Sequence, residues 1–323
     1  MRFVRLALTV LIAPPLFLLA AVCAGAAVAA HFGRASLQWD ILAHFAPVWL
    51  AGALAGALGG FFFRGYARAL IVSMGGVGVA AAGLLMAPEY LRDTGPKAGP
   101  NAPDQLKVIQ FNVWHLNEQR ERSIDWLIAQ DPDIVIMEES RPEIRRMIEE
   151  RTPWHATCDE CETVIYSRAP PIRQGSPRVP GAPGPLTRAI FEDARGRYTV
   201  IGVHYSWPTD PQAQQPQEMR LARVLGDTDR TRAIVAGDLN SAPWSFFRRR
   251  WDAEFGIVRR DRALFSWPAT QYKRLRWLGI FPFLPIDHVY AGSDWATVKV
   301  ERGPRLGSDH YPVVITLAPV ARR

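Results

Sequence analysis

Three short polar clusters border apolar runs in the C-terminal half of the chain: Gly237-Asp238-Leu239-Asn240, Ile286-Asp287-His288 and Gly307-Ser308-Asp309-His310. The runs beside them, Arg232 to Ala236, Phe283 to Ile286 and Val313 to Leu317, are strand-like. Together the clusters gather three carboxylates, an amide and two imidazoles where a sheet ends. Oxygen ligands hold a hard cation, while Asp, Asn and His handle water and phosphate, so the mixture is that of a metal-assisted hydrolase. Alone, Gly-Asp-Leu-Asn reads as a turn and Ser-Asp-His as a helix cap. Their ordered recurrence sets them apart.

Two elements upstream extend the pattern. Lys107 to Phe111 is a strand ending in Asn112, and Asp133 to Met137 is a second apolar run ending in Glu138 and Glu139. Between them Ile124, Leu127 and Ile128 carry the spacing of an amphipathic helix. Tyr198 to Val203 is a further strand, ending in His204. A polar residue thus repeatedly sits at the C-terminal end of an apolar strand, where α/β folds build their sites.

The order Phe111-Asn112-Val113-Trp114, the Pro132 to Glu139 segment, Ile165 to Arg168, Val203-His204, Gly237 to Asn240, Ile286-Asp287-His288 and Ser308-Asp309-His310 resembles the endonuclease/exonuclease/phosphatase superfamily. Deoxyribonuclease I, the major abasic-site endonucleases, inositol polyphosphate 5-phosphatases and neutral sphingomyelinases belong to it. The resemblance covers residues 104 to 319 and implies a four-layered α/β sandwich with two mixed β-sheets. It implies a divalent-metal phosphoesterase. Ala236 to Ser245 followed by Ser266-Trp267-Pro268 is similar to a membrane-tethered bacterial branch.

The same resemblance implies roles. Glu139 matches the metal-binding glutamate, with Glu138 in the place of a glutamine; neighbours on a strand face opposite sides, so one of the two is expected to enter the site. Asn112 matches an asparagine supporting the metal, and Asp309 a ligand of that metal or of a second ion. Mg²⁺ suits so sparse a ligand set, with Mn²⁺ as the alternative. Asp238 aligns and deprotonates water while Asn240 helps hold phosphate, the two sharing one face if the chain there is extended. His204 donates to a phosphate oxygen, and His310 sits across it with Asp287 fixing its tautomer. The residue acting as base stays open at this level.

The first hundred residues are different. Residues 6–30, 45–63 and 69–88 contain no Asp, Glu, Lys or Arg and read as three transmembrane helices. The first, with Pro14-Pro15 expected to kink it, also resembles a secretory signal peptide. Gly52, Gly56 and Gly60 recur at a spacing that lets membrane helices approach closely. The expected organisation is a membrane region over 1–88, a linker over 89–103 and an enzyme domain over 104–323. Arg178 to Leu186 reads as a loop.

The chain carries 38 Lys plus Arg against 31 Asp plus Glu, but seven of the former and three of the latter precede residue 104, leaving 31 against 28. Arg248-Arg249-Arg250 and Lys273 to Arg276, the latter amid Tyr272, Trp277, Phe281 and Phe283, stand out as runs that meet phosphate of nucleic acid or lipid, or as solvated faces. Cys158 and Cys161 are compatible with a disulfide, a zinc site or free thiols. Arg2, Arg5, Arg64 and Arg68 against Arg34 place the N-terminus inside and, after three crossings, the catalytic domain outside. The partners implied are a lipid bilayer and a phosphate-ester substrate, nucleic acid or lipid headgroup; no protein partner is implied. The alternative function is a catalytically inactive membrane-bound binding module that keeps the fold.

Overall fold

A computed structural model describes residues 2–159, 161–175, 177–181, 184–270 and 281–320. The basic run Lys273 to Arg276, with Tyr272 and Trp277, lies outside the described residues. Two compact units result, residues 1–92 with 242–249, and residues 93–241 with 250–323.

The first unit contains α1 (Arg2–Ala30), α2 (Leu37–His44), α3 (Ala46–Gly60) and α4 (Gly65–Leu91). Helix α1 runs through Pro14 and Pro15. Val10–Arg34 and Gly65–Leu91 are long and apolar enough to cross a membrane, and α2 with α3, bent by 61°, makes up to three. Where three separate spans were expected, the middle one is thus a broken pair: α3 has 15 residues, short of the roughly 20 that a hydrocarbon core requires. Small residues let the helices close together. A Cβ on Gly56 would lie 2.8 Å from that of Ala20, and one on Gly75 2.7 Å from the Ala53 carbonyl oxygen. The spacing of Gly52, Gly56 and Gly60 therefore marks a packed face.

Residues 242–249 belong to this unit because α2 supplies their polar partners. Asp40, buried, accepts from Ser245 Oγ at 2.8 Å and from the amides of Phe246 and Phe247 at 2.9 and 2.8 Å. His44 Nδ1 accepts from the Ala242 amide at 3.0 Å. Arg248 is fully buried and Arg249, partly buried, lies over the Phe246 ring, which leaves Arg250 as the exposed member of the basic run.

The second unit has two mixed six-stranded sheets. One holds β1 (Leu106–Asn112), β2 (Ile134–Glu138), β3 (His155–Thr157), β4 (Thr163–Ser167), β11 (Trp295–Arg302) and β12 (Val313–Pro319), in the order β11-β12-β1-β2-β4-β3. The other holds β5 (Arg173–Gly175), β6 (Leu186–Asp193), β7 (Gly196–His204), β8 (Ala233–Asp238), β9 (Val258–Arg259) and β10 (Asp287–Ala291), in the order β5-β6-β7-β8-β10-β9. Strands β1/β2 and β7/β8 are parallel and the other pairs antiparallel. Residues 96–98, expected as linker, join the first sheet beside Thr297, because their backbone groups find partners there.

Alternation along the strands builds the layers. Val108, Ile134 and Ile136 meet Ala189, Val200 and Ala236 between the sheets. Ile109, Phe111, Val135 and Met137 face outward onto Ile124 and Leu127 of α5 (Arg120–Ala129) and Ile144 and Ile148 of α6 (Pro142–Arg151). Ile201, Val203 and Val235 face Leu221 and Val224 of α7 (Pro211–Gly226) and Phe255 of α8 (Phe246–Phe255). Both faces of each sheet are covered, which explains runs apolar at every position. The α/β sandwich of four layers is therefore as expected.

Gly75→Leu should lower the thermal midpoint of the detergent-solubilised chain, because overpacking costs about 1–3 kcal/mol. Gly76→Leu, whose Cβ would meet nothing within 4 Å, should leave it unchanged. Equal midpoints for the two variants would refute close packing at Gly75.

Candidate active site

Sheet register assembles the polar residues. Asp238, the last residue of β8, lies directly opposite Asp287 on β10 and beside His204 on β7. Across the sandwich, Gln110, Asn112 and Glu138 continue the inward phase of Val108, Ile134 and Ile136 and so point toward the same place. His310 comes from the segment before β12, where Ser308 Oγ accepts from its amide at 3.0 Å and donates to the Asn112 carbonyl at 2.7 Å.

Two buried carboxylates flank one imidazole. His310 Nδ1 donates to Asp287 Oδ2 at 2.8 Å, and its Nε2 lies 3.5 Å from Asp238 Oδ2. Burial opposes charge on His310, but Asp287 and Asp238 outweigh it and hold the imidazole well above its ordinary value. Asp287 stays below the usual carboxylate range despite burial, chiefly through His310. Asp238 is lifted to about 6, first by burial and then by Asp287, against the pull of His310. One carboxylate is therefore ionised and the other poised to exchange a proton.

His204 approaches from the other side. Its Nε2 lies 3.8 Å from both Asp238 Oδ2 and Glu139 Oε1, and its Nδ1 donates to Glu162 Oε1 at 3.1 Å. Burial notwithstanding, Glu162, Asp238 and Glu139 raise its pKa. Glu162 was not foreseen from sequence. It follows Cys161, which is joined to Cys158 in a disulfide, so the two cysteines resolve as a bridge rather than thiols or zinc ligands. The Glu162 carbonyl also accepts from the Glu139 amide, at 3.1 Å.

Asn240 does not share a face with Asp238 through extended chain. It has a φ of 45°, and its amide bonds Asp238 Oδ1 at 2.9 Å in a turn. Its side-chain amide donates to the Tyr205 carbonyl at 2.9 Å and lies 3.3 Å from Asp238 Oδ2.

Both Glu138 and Glu139 enter the site, contrary to the strand argument that admits only one. Strand β2 ends at Glu138, and Glu139 turns to a φ of 56°, which re-aims its side chain. Glu139 Oε1 accepts from Asn112 Nδ2 at 3.0 Å and Oε2 lies 2.6 Å from His115 Nδ1, an unforeseen neighbour. Burial would raise Glu139, yet the His115 and Asn112 bonds bring it down to about 2. Glu138 is the opposite case: burial, then Asp287 and Asp238, push it well above the ordinary range. Gln110 Nε2 donates to both Glu138 Oε2 and Asp287 Oδ1, at 3.0 and 2.8 Å. A protonated Glu138 would pair an O–H donor with a carbonyl acceptor, as a glutamine side chain pairs its N–H donors with one.

Asp309 is held by Trp267 Nε1 at 3.2 Å, and its Oδ1 is buried without a hydrogen-bond partner. His288, grouped with these residues by sequence, is not among them: it pairs with Asp261 at 2.9 Å and with the Ser241 carbonyl at 2.9 Å, and is fully buried.

Among the described residues, Asp238, Asp287 and His310 each offer one donor atom within 4.8 Å of the others and could hold a metal ion. A protonated His310 has no lone pair to give, so this trio is better suited to moving protons. Glu139 and Asp309 carry carboxylate oxygens suited to a hard cation, and the unpartnered Asp309 Oδ1 is a polar atom such an ion would satisfy, whereas Asn112 turns its Nδ2 to Glu139 and Asp238 and its Oδ1 to the Trp114 amide.

This geometry is that of a phosphoesterase fold. The model of the endonuclease/exonuclease/phosphatase family matches residues 109–310, and the chain belongs to that family. Solved structures agree in fold. An endonuclease/exonuclease/phosphatase family protein from Bacteroides thetaiotaomicron matches with a TM-score of 0.55 at 15% identity, covering 68% of this chain and 99% of that one. A mannosyl-6-phosphatase from the same organism gives 0.53 at 14% identity, covering 66% and 99%. A functionally unknown conserved protein from Enterococcus faecalis gives 0.53 at 16%, covering 67% and 100%. No curated protein matches the chain in sequence.

The raised Glu138 predicts a pH-dependent gain. A carboxyl with a higher pKa folded than unfolded stabilises below its unfolded value and loses that contribution as pH rises toward its folded value. Glu138→Gln, measured in EDTA, should therefore gain in melting temperature relative to the parent between pH 5 and 8, by at least about 2 °C. A difference that is flat with pH would mean that Glu138 is charged.

Proposed function

We propose that the chain is a divalent-metal-dependent phosphoesterase tethered to a membrane by its N-terminal helices. The observation that carries this reading is the Asp287–His310–Asp238 relay with His204 facing Asp238 from the other side. A binding module would have no use for a buried carboxylate poised near neutrality between two imidazoles.

Asp238 orients the attacking water and takes its proton; the water oxygen bonds to phosphorus as the ester oxygen leaves. His310 and His204, both held protonated, donate to phosphate oxygens on which charge accumulates. Asn240 and Asn112 fix Asp238 by hydrogen bonds at 2.9 and 3.1 Å. Asn112, Glu139 and Asp309 would hold Mg²⁺, or Mn²⁺ in its place, which would neutralise phosphate charge when bound. The substrate is a phosphate ester of nucleic acid or of a phospholipid-type headgroup. A hydrolase at a membrane meets the latter at its own surface.

The catalytic domain is proposed to face the extracytoplasmic side, with the bent α2–α3 pair counted as one crossing. The excess of basic residues flanking the proposed cytoplasmic ends supports it, as does the Cys158–Cys161 disulfide, a bond that persists in oxidising compartments. If the pair is a re-entrant loop, the domain returns to the side of the N-terminus.

Asp238→Asn should lower kcat on bis-p-nitrophenyl phosphate with Mg²⁺ by about 10²–10⁴-fold while leaving the melting temperature nearly unchanged. In the parent, kcat/KM should rise through about pH 6 as Asp238 ionises, and fall only at a pH well above the ordinary histidine value, where His310 loses its proton. An unaffected Asp238→Asn variant would remove this residue from the chemistry. Glu139→Gln should raise the Mg²⁺ needed for half-maximal rate, whereas Glu138→Gln should not; the reverse pair of results would exchange their roles.

Topology is checked independently of activity. A C-terminal alkaline phosphatase fusion should be active and a C-terminal green fluorescent protein fusion dark. The opposite pair would put the site in the cytoplasm.

A further inference from the structure

At the edge of the second sheet lies a cavity of about 380 Å³ lined by Arg173, Arg178, Arg188 and Arg223, with none of the residues around Asp238 and His310 among its lining. Asp227 is the one carboxylate among its lining residues. The cations converge from separate elements: Arg173 opens β5, Arg188 sits on β6 opposite Gly175, and Arg223 lies in the last turn of α7. Among the described residues, none of these three guanidinium groups is held in a salt bridge. Arg188 is half-buried, and its burial together with the charge of Arg173 depresses its pKa.

Four guanidinium groups around one cavity repel each other, and a single carboxylate does not balance them. Such an arrangement is relieved by a ligand that brings negative charge. Guanidinium forks match the oxygens of phosphate two at a time, and they give up hydration more readily than ammonium groups. A water takes about 30 Å³ of liquid volume, so the space exceeds what one ion needs and falls in the range of small-molecule pockets. Part of the wall is tied to α7: Arg220 donates to the Pro177 carbonyl at 2.9 Å and to the Gly184 carbonyl. A preformed wall lowers the ordering cost of binding.

We propose that this cavity binds a compact soluble ligand carrying two or more phosphate groups, at a site separate from the reaction centre. Its occupancy does not require that the reaction centre be catalytic, so the two readings fail separately.

The test is titration calorimetry of the full-length chain in detergent with methylenediphosphonate, in EDTA so that no metal-held anion contributes. Saturable binding near one per chain is expected, weakened at least about tenfold in Arg188→Gln and in Arg223→Gln, and unchanged in Asp238→Asn. Methylphosphonate, with one phosphoryl group, should bind at least about tenfold more weakly than the bisphosphonate. Arg223 is exposed on its helix, so that variant decides the matter if Arg188→Gln does not fold. Absence of binding in the parent, an unchanged affinity in Arg223→Gln, equal affinity for the two phosphonates, or loss of binding in Asp238→Asn would overturn the proposal.

Discussion

Asp238 and Asp287 stand directly opposite each other on neighbouring antiparallel strands, both buried, a pairing that is destabilising for two like charges. His310 makes it tenable. Its imidazolium bonds one carboxylate at 2.8 Å and lies 3.5 Å from the other, so three ionisable groups share a compensating charge. The register of β8 against β10 and the position of the segment before β12 must both be correct for this to hold. A one-residue slip would turn the two aspartates to the opposite face. The sandwich can be read as the device that holds that register, with apolar layers on both faces of each sheet leaving the strands little freedom.

The carboxylates around the relay are chemically unequal, and their environments make them so. Asp287 has a protonated imidazole at bonding distance and stays ionised; Asp238 has the same cation farther off and is lifted to about 6. Glu138 is pushed well above the carboxylate range by burial, Asp287 and Asp238, which the Gln110 amide and the charge of His310 do not offset. Glu139, a single residue further, receives His115 and Asn112 and is strongly ionised. Four acids in one site thus occupy distinct protonation regimes, the condition under which acid, base and ligand roles can be divided.

The helical unit meets a different constraint. Its helices approach through glycine and alanine, which lets their backbones meet in close dispersion contact. The buried Asp40 is compensated by a hydroxyl and two backbone amides of residues 245–247, and those residues belong to this unit although they follow Asn240 closely in sequence. A buried carboxylate is tolerated when its oxygens are saturated in this way.

Much of this was legible in sequence because it is local. Asn112, His204, Asp238, Asp287 and His310 were visible as polar residues bordering apolar runs, and the runs predicted the strands. The glycine spacing and the lengths of uncharged segments announced the helical region. What the sequence could not specify depends on pairs far apart in the chain or on single backbone torsions. Glu162 reaches His204 only because β4 and β7 bring them together; Gln110 becomes a bridge only once β2 and β10 flank it. The positive φ at Glu139 and Asn240 replaced the alternation that a regular strand predicts. The division into two helices long and apolar enough to cross a membrane and a bent pair turned on Ala46–Gly60 being too short by itself. Residue type and local pattern therefore determined which groups are available. Their protonation, partners and direction were decided by tertiary structure, because burial and through-space charge exist only once the sheets have packed.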